Sequence, residues 1–161
     1  MNVRYAVKSR FKDDPMKKKL ILIEGIPGSG KSTFARFLSN QFERNGYKTR
    51  VYLETTFEHV IIESTGYEDY SLFRDLHYDR WVKFLDDSPD EEVIVMESAF
   101  IQSPIVHLLH KDVDRELIKS LILKVSNLLN KEDCSLIYFY QKDISLAIDK
   151  MIKARGGNEY I

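Results

Sequence analysis

Leu20-Ile21-Leu22-Ile23-Glu24-Gly25-Ile26-Pro27-Gly28-Ser29-Gly30-Lys31-Ser32-Thr33 carries an apolar run into a glycine-rich turn and then into a helical pattern. From Gly25 to Ser32 the residues fit G-x-x-x-x-G-K-[ST] without a gap. The flanks supply the strand and the helix that a phosphate-binding P-loop requires. Each residue type has a physical reason. Gly25, Gly28 and Gly30 let backbone N–H groups approach phosphate oxygens, with Ser29 and Thr33 completing the turn. Lys31 has the reach for β- and γ-phosphates, and the Ser32 hydroxyl suits Mg²⁺. The helix opening near Lys31 adds its positive end to the anion site. A chain of this length matches such a pattern by chance about 0.5% of the time. The motif is therefore read as a site for a nucleoside triphosphate, expected to be ATP, with Mg²⁺.

Outward from this motif, 161 residues allow one domain with a substantial core. Hydrophobic residues make up 43% and charged residues 30%, as in a soluble globular chain. A net charge of −1 gives no overall attraction to nucleic acid or to a membrane surface. No apolar run is long enough for a membrane span. Cys134 is the single cysteine, which excludes an internal disulfide and suits a reducing cytoplasm. Residues 1–15 are charged and weakly periodic and read as a flexible extension, with Met16 resembling a natural start.

From Leu20 onward, strand and helix patterns alternate. Strands are expected at Leu20–Glu24, Thr49–Leu53, Val93–Met96 and Leu136–Tyr140. Four helices are expected between and after them. Lys31 to Asn45 has Phe34, Phe37, Leu38 and Phe42 on one face. A second runs from a Ser71 cap to Asp86, with Phe73, His77, Trp81 and Phe84 inward. A third runs from an Asp112 cap to Asn130, using Leu117, Leu121, Val125, Leu128 and Leu129. The last follows an Asp143 cap, with Ile144, Ile148, Met151 and Ile152 inward. Val60-Ile61-Ile62 fits either a short helix or a buried loop, and Ser103-Pro104 opens a connection. Repeated strand–helix units predict an α/β fold: a parallel sheet of about four strands with helices on both faces.

Ligands in such sheets bind beyond the carboxyl ends of the strands, so the residues ending strands carry the most weight. Glu54 and Glu97 each end an apolar run at that edge. A carboxylate there can order Mg²⁺ through water or accept a proton from a substrate hydroxyl. The alternative is that each marks where a strand meets solvent. Arg155, beside Gly156-Gly157, suits charge stabilisation on a transferring phosphoryl group, or else complements a helix C-terminus. His107-x-x-His110 lacks a nearby acidic or cysteine partner at ligand spacing, and His59 and His77 lie among aromatics as packing residues do. Phe57, Tyr67, Tyr70, Phe73, Tyr78 and Trp81 form an aromatic stretch of mostly core residues.

With these residues placed, the chain resembles P-loop nucleoside and nucleotide kinases of the thymidylate-kinase and deoxynucleoside-kinase type, from about Lys18 to Ile161. The resemblance rests on Ile23 to Thr33, on Leu53-Glu54, on Met96-Glu97-Ser98 and on Leu136 to Gly156, which looks like the strand and helix leading to an arginine-bearing lid. The chain is also similar to uncharacterised thymidylate-kinase-like proteins of Gram-positive bacteria and their phages, through Glu97-Ser98 … Gln102-Ser103-Pro104 and Tyr138-Phe139-Tyr140-Gln141. There are two departures. Such kinases carry arginine after the strand-three acid, where this chain has Ser98, and they continue beyond Gly156-Gly157 through a lid to a fifth strand and a last helix.

The resemblance implies a kinase over residues 16–161 that uses ATP and Mg²⁺ to phosphorylate a nucleoside, a nucleotide or a similar acceptor. Gly25 and Gly28 to Thr33 would hold the phosphates, Ser32 and Glu97 the metal. Lys31, Glu54, Glu97 and Arg155 would carry the transfer. The partners implied are the triphosphate and a small-molecule acceptor, with a homodimer compatible. The alternative is a nucleotide-binding module without turnover that regulates a partner.

Overall fold

The computed structural model describes residues 18–56, 59–62 and 69–154. The extension at 1–15, Phe57, Tyr67, Arg155 and the residues that follow lie outside them. Among the described residues nine elements run in chain order: β1 (Lys19–Gly25), α1 (Lys31–Arg44), β2 (Lys48–Tyr52), α2 (Tyr70–Asp87), β3 (Glu92–Glu97), α3 (Gln102–His110), α4 (Arg115–Leu129), β4 (Cys134–Phe139) and α5 (Ile144–Ala154). The strands form one sheet in the order β2-β3-β1-β4, and every pairing is parallel. The expected α/β architecture is therefore present.

Two apolar layers sandwich the sheet. On one side, Leu20, Leu22, Ile94 and Met96 meet Phe73, Trp81 and Phe84 of α2, Leu108 of α3, and Ile118, Leu121 and Val125 of α4. On the other, Ile21, Ile23, Val93 and Val95 meet Ala35 of α1, with Phe34, Leu38 and Phe42 at its margin. Alternation within each strand assigns side chains to the two faces. Because both faces are covered, β1 and β3 read as nearly continuous apolar runs.

Several helix faces differ from their sequence reading. The face α1 presents to the sheet is Lys31, Ala35 and Ser39, spaced by four, while Phe37 is exposed. Small side chains let the helix axis approach the sheet, and the aromatics wrap its sides. The cap of α2 is Asp69, whose carboxylate accepts from Ser71 N at 2.7 Å; Ser71 is not the cap. Asp114 rather than Asp112 caps α4, accepting from Glu116 N at 2.8 Å. Ile118 is buried and Leu117 exposed. Asp143 does cap α5, through Leu146 N at 2.9 Å, but Ile144 and Ile148 are exposed. Residues 60–62 form a bend rather than a helix, with Ile61 fully buried. The helix α3 had no sequence counterpart beyond Ser103-Pro104.

Candidate functional site

The strand order makes a crevice between β1 and β3. From β1 the chain crosses over β3 to reach β2 through α1, whereas from β3 it leaves on the opposite face toward β4. Such a reversal opens a gap at the carboxyl ends of the two strands. The glycine-rich turn leaves β1 there, and Glu97 ends β3 beside it.

Gly25 closes β1 against Phe139 of β4. Gly28 has φ +76°, and a methyl placed on it would lie 2.6 Å from Met151 Cγ, so α5 rests on the turn. Ser29 is buried, and its Oγ has no hydrogen-bond partner among the described residues. Gly30 starts α1 in the left-handed region, with no side-chain cap. An uncapped helix start with no acid in its first turn suits an anion. Lys31 is only 3% exposed, and its Nζ donates to Ile26 O at 3.0 Å, which bends the side chain back over the turn. Thr33 is exposed in the first turn of α1.

The Ser32 hydroxyl donates to Glu97 Oε1 at 2.8 Å. Glu97 is 3% exposed, and its Oε2 meets no hydrogen-bond partner among the described residues. A buried carboxylate oxygen without a donor is costly, and a cation removes that cost. These two side chains thus fit a hard cation that takes oxygen ligands, such as Mg²⁺. The turn with Lys31 and the start of α1 fits its phosphates.

The parallel register Tyr52↔Met96 carries Glu54 level with Ser98. Glu54 is exposed, and both its carboxylate oxygens accept from Gln102 Nε2, at 3.2 and 3.3 Å. Gln102 Oε1 accepts from Ser98 Oγ at 3.3 Å. Ser98 is fully buried with φ +61°, and its N–H continues the sheet to Ile23 O at 3.0 Å. Gln102 is itself held from behind. The fully buried Glu24 accepts from Phe100 N at 2.8 Å and Gln102 N at 2.9 Å. Burial pushes the Glu24 carboxyl above its usual range, against the pull of those backbone donors and of Lys31.

Glu24 and Gln102 are the residues that sequence reasoning left without a role. A charged residue inside an apolar strand was the signal for Glu24. For Gln102 the signal was its place in the Glu97-Ser98 … Gln102 segment. Lys31, Ser32, Glu97 and Glu54 do converge on one crevice, whereas Arg155 lies outside the described residues. His59, His77 and His107 pack against aromatic rings, whereas His110 is exposed. Phe73 stacks between His77 and His107, with centroids 5.4 and 4.7 Å away. Burial lowers both His59 and His77 to about 4. Cys134 opens β4 half-buried, its thiol pushed up to about 12 by burial, which disfavours the thiolate. No described helix is long and apolar enough to cross a membrane.

A parallel α/β sheet whose first strand runs through G-x-x-x-x-G-K-S into a helix defines the P-loop class of nucleotide-binding folds. A family model described as chromatin associated protein KTI12 matches residues 19–80. The signal recognition particle 54 kDa protein of Methanothrix thermoacetophila is 44% identical over 48 residues, which is 30% of this chain. The chain spans 11% of that relative's length. Similar solved structures include thymidylate kinase from Candida albicans, at 16% identity and TM-score 0.49, covering 83% of this chain and 67% of that one. Thymidylate kinase from Ehrlichia chaffeensis is another, at 15% identity and TM-score 0.36, covering 85% and 97%.

Proposed function

We propose that the chain is an ATP- and Mg²⁺-dependent phosphotransferase that phosphorylates a small-molecule acceptor. The observation that carries this is the Ser32–Glu97 pair beside the glycine-rich turn: 2.8 Å apart, with a second buried Glu97 oxygen that has no partner among the described residues. Lys31 moves from Ile26 O to the β- and γ-phosphates and neutralises them. Bound Mg²⁺ supplies charge neutralisation across the same phosphate oxygens. Glu54, one strand further out, orients an acceptor hydroxyl and takes its proton as that oxygen bonds to the γ-phosphorus and the bond to the β-phosphate oxygen breaks. ADP leaves, and Gln102 keeps the Glu54 carboxylate turned toward the crevice. Arg155 is assigned to the transferring phosphoryl on the strength of the resemblance alone. Catalysis of this kind is positioning and electrostatics.

The KTI12 match favours a second reading, a nucleotide-binding module that regulates a partner, because that family is described by chromatin association rather than by a small-molecule acceptor. The test is a product-detecting screen of nucleosides, nucleotides and other hydroxyl compounds with ATP and Mg²⁺. The phosphotransferase reading predicts a phosphorylated product that Glu54→Gln lowers by at least tenfold with ATP affinity unchanged. ATP binding without any product across the screen would favour the module.

A further inference from the structure

We infer that Glu24 is a positioning residue for phosphoryl transfer: it sets where Gln102, and through Gln102 the base Glu54, stands relative to the phosphate-binding turn. This deepens the phosphotransferase reading and rests on it. Alternation along β1 puts Glu24 on the face that carries Leu20 and Leu22, which α2, α3 and α4 cover. A fully buried carboxylate there is costly unless it is well bound. Its two oxygens accept from Phe100 N at 2.8 Å and from Gln102 N at 2.9 Å.

A helix start needs acceptors for its first N–H groups, and the side chain at the cap position ordinarily supplies one. At α3 that position is Ile101, which makes no side-chain cap. The acceptor comes instead from β1, one residue before Gly25 of the phosphate-binding turn. The residue before Glu24 holds the other end of the same segment, since Ser98 N donates to Ile23 O at 3.0 Å. Ser103 N closes the segment on Ser98 O at 2.9 Å. Residues 98–102 therefore hang from Ile23 and Glu24, and the phosphate-binding turn follows directly.

Gln102 carries the consequence. Glu24 fixes its backbone N–H, and Ser98 Oγ donates to its Oε1 at 3.3 Å. That sets the amide so that Nε2 faces Glu54, at 3.2 and 3.3 Å from the two carboxylate oxygens. A cap from the loop before α3 would stabilise the helix and tie it to that loop. A cap from β1 ties the base to the phosphates it works against, and transfer rates depend steeply on that placement.

The experiment compares the wild type with Glu24→Gln, Glu24→Asp, Gln102→Ala and the double variant Glu24→Gln/Gln102→Ala, each checked for folding by its urea midpoint. Glu24→Gln keeps the length and loses the charge and one acceptor. Glu24→Asp keeps the charge beside Lys31 and loses a methylene of reach. The Gln102 side-chain NH₂ signal, assigned by its loss in Gln102→Ala, is read by NMR with a non-hydrolysable ATP analogue and Mg²⁺ bound. Turnover is read with ATP, Mg²⁺ and the nucleoside or nucleotide that the screen yields as acceptor. Both Glu24 variants should move the amide signal toward that of an exposed glutamine. Both should lower kcat by up to roughly tenfold, the loss expected of Gln102→Ala, without raising KM for ATP. The double variant should be no slower than Gln102→Ala alone, because one residue acts through the other. An unmoved amide signal or an unchanged kcat overturns the inference, leaves Glu24 a brace of the fold and lets the phosphotransferase reading stand. Losses that multiply in the double variant, or a loss in Glu24→Gln that Glu24→Asp does not share, overturn the route through Gln102. A wild type that yields no product with any compound of the screen overturns the phosphotransferase reading and this inference together.

Discussion

Gly28→Ala probes the contact between the phosphate-binding turn and α5, and its cost follows from two separable terms. At φ +76° an alanine sits in the left-handed region, which costs about 1–2 kcal/mol. Its Cβ would also lie 2.6 Å from Met151 Cγ and 2.8 Å from Met151 Cβ. Carbon atoms prefer about 3.5–4.0 Å. The Cγ can swing away, but the Cβ is fixed to the helix, so α5 must retreat by roughly 1 Å; overpacking of this kind costs about 1–3 kcal/mol. The sum is roughly 2–5 kcal/mol. Gly30→Ala is the control. Its φ is +92°, but no atom of the described residues lies within 4 Å of the added carbon, so only the backbone cost of about 1–2 kcal/mol applies. Urea unfolding followed by the fluorescence of Trp81, the sole and fully buried tryptophan, measures both variants. Met151→Ala in the Gly28→Ala background removes the Cγ overlap and should couple favourably by about 0.5 kcal/mol or more. Equal costs for Gly28→Ala and Gly30→Ala, with no coupling to Met151, would refute the packing of α5 on the turn.

Gln102→Ala frees the Glu54 carboxylate from its amide and should lower phosphoryl transfer by roughly tenfold, the worth of one or two hydrogen bonds, with ATP affinity unchanged by calorimetry. His77 supplies a pH dependence. Its Nε2 accepts from Trp81 Nε1 at 3.3 Å, so protonation there would set a donor against a donor. The folded value of about 4 lies below the ordinary 6.5. The folded state therefore binds fewer protons, and stability that is fully present above about pH 6.5 is lost as pH falls toward 4. The loss is at most about 3 kcal/mol for this one group. The urea midpoint of His77→Gln should fall less between pH 7 and 4 than that of the wild type, with His59 supplying part of the slope that remains.

The elements set by local chemistry were legible, and those set by distant contacts were not. The run from Leu20 to Thr33 declares a strand, a turn and a helix within its own residues, and Glu97 marks its strand end the same way. The pairing of β1 with β3 then sets Ser32 against Glu97. By contrast, α3 has no side-chain cap of its own. Its start is held by Glu24, 76 and 78 residues earlier in the chain, and no local pattern carries that information. The same holds for Gln102 and Glu54, which are 48 residues apart. Apolar spacing misplaced Phe37, Leu117 and Ile144 because each helix turned its smaller or better-registered residues to the sheet, leaving large side chains exposed.

The central claim is that the turn from Gly25 to Thr33 holds a nucleoside triphosphate, with Lys31 on its phosphates and a cation between Ser32 and Glu97. Calorimetric titration of ATP into the wild type and into Lys31→Ala, each with Mg²⁺ and with a chelator, tests it directly. The account predicts that the wild type binds more tightly with Mg²⁺ than without. It also predicts that Lys31→Ala weakens binding by about tenfold to a hundredfold, the worth of a hydrogen bond to a charged group, while the urea midpoint shows the variant still folded. Equal ATP affinity in the two proteins, indifferent to Mg²⁺, would contradict it.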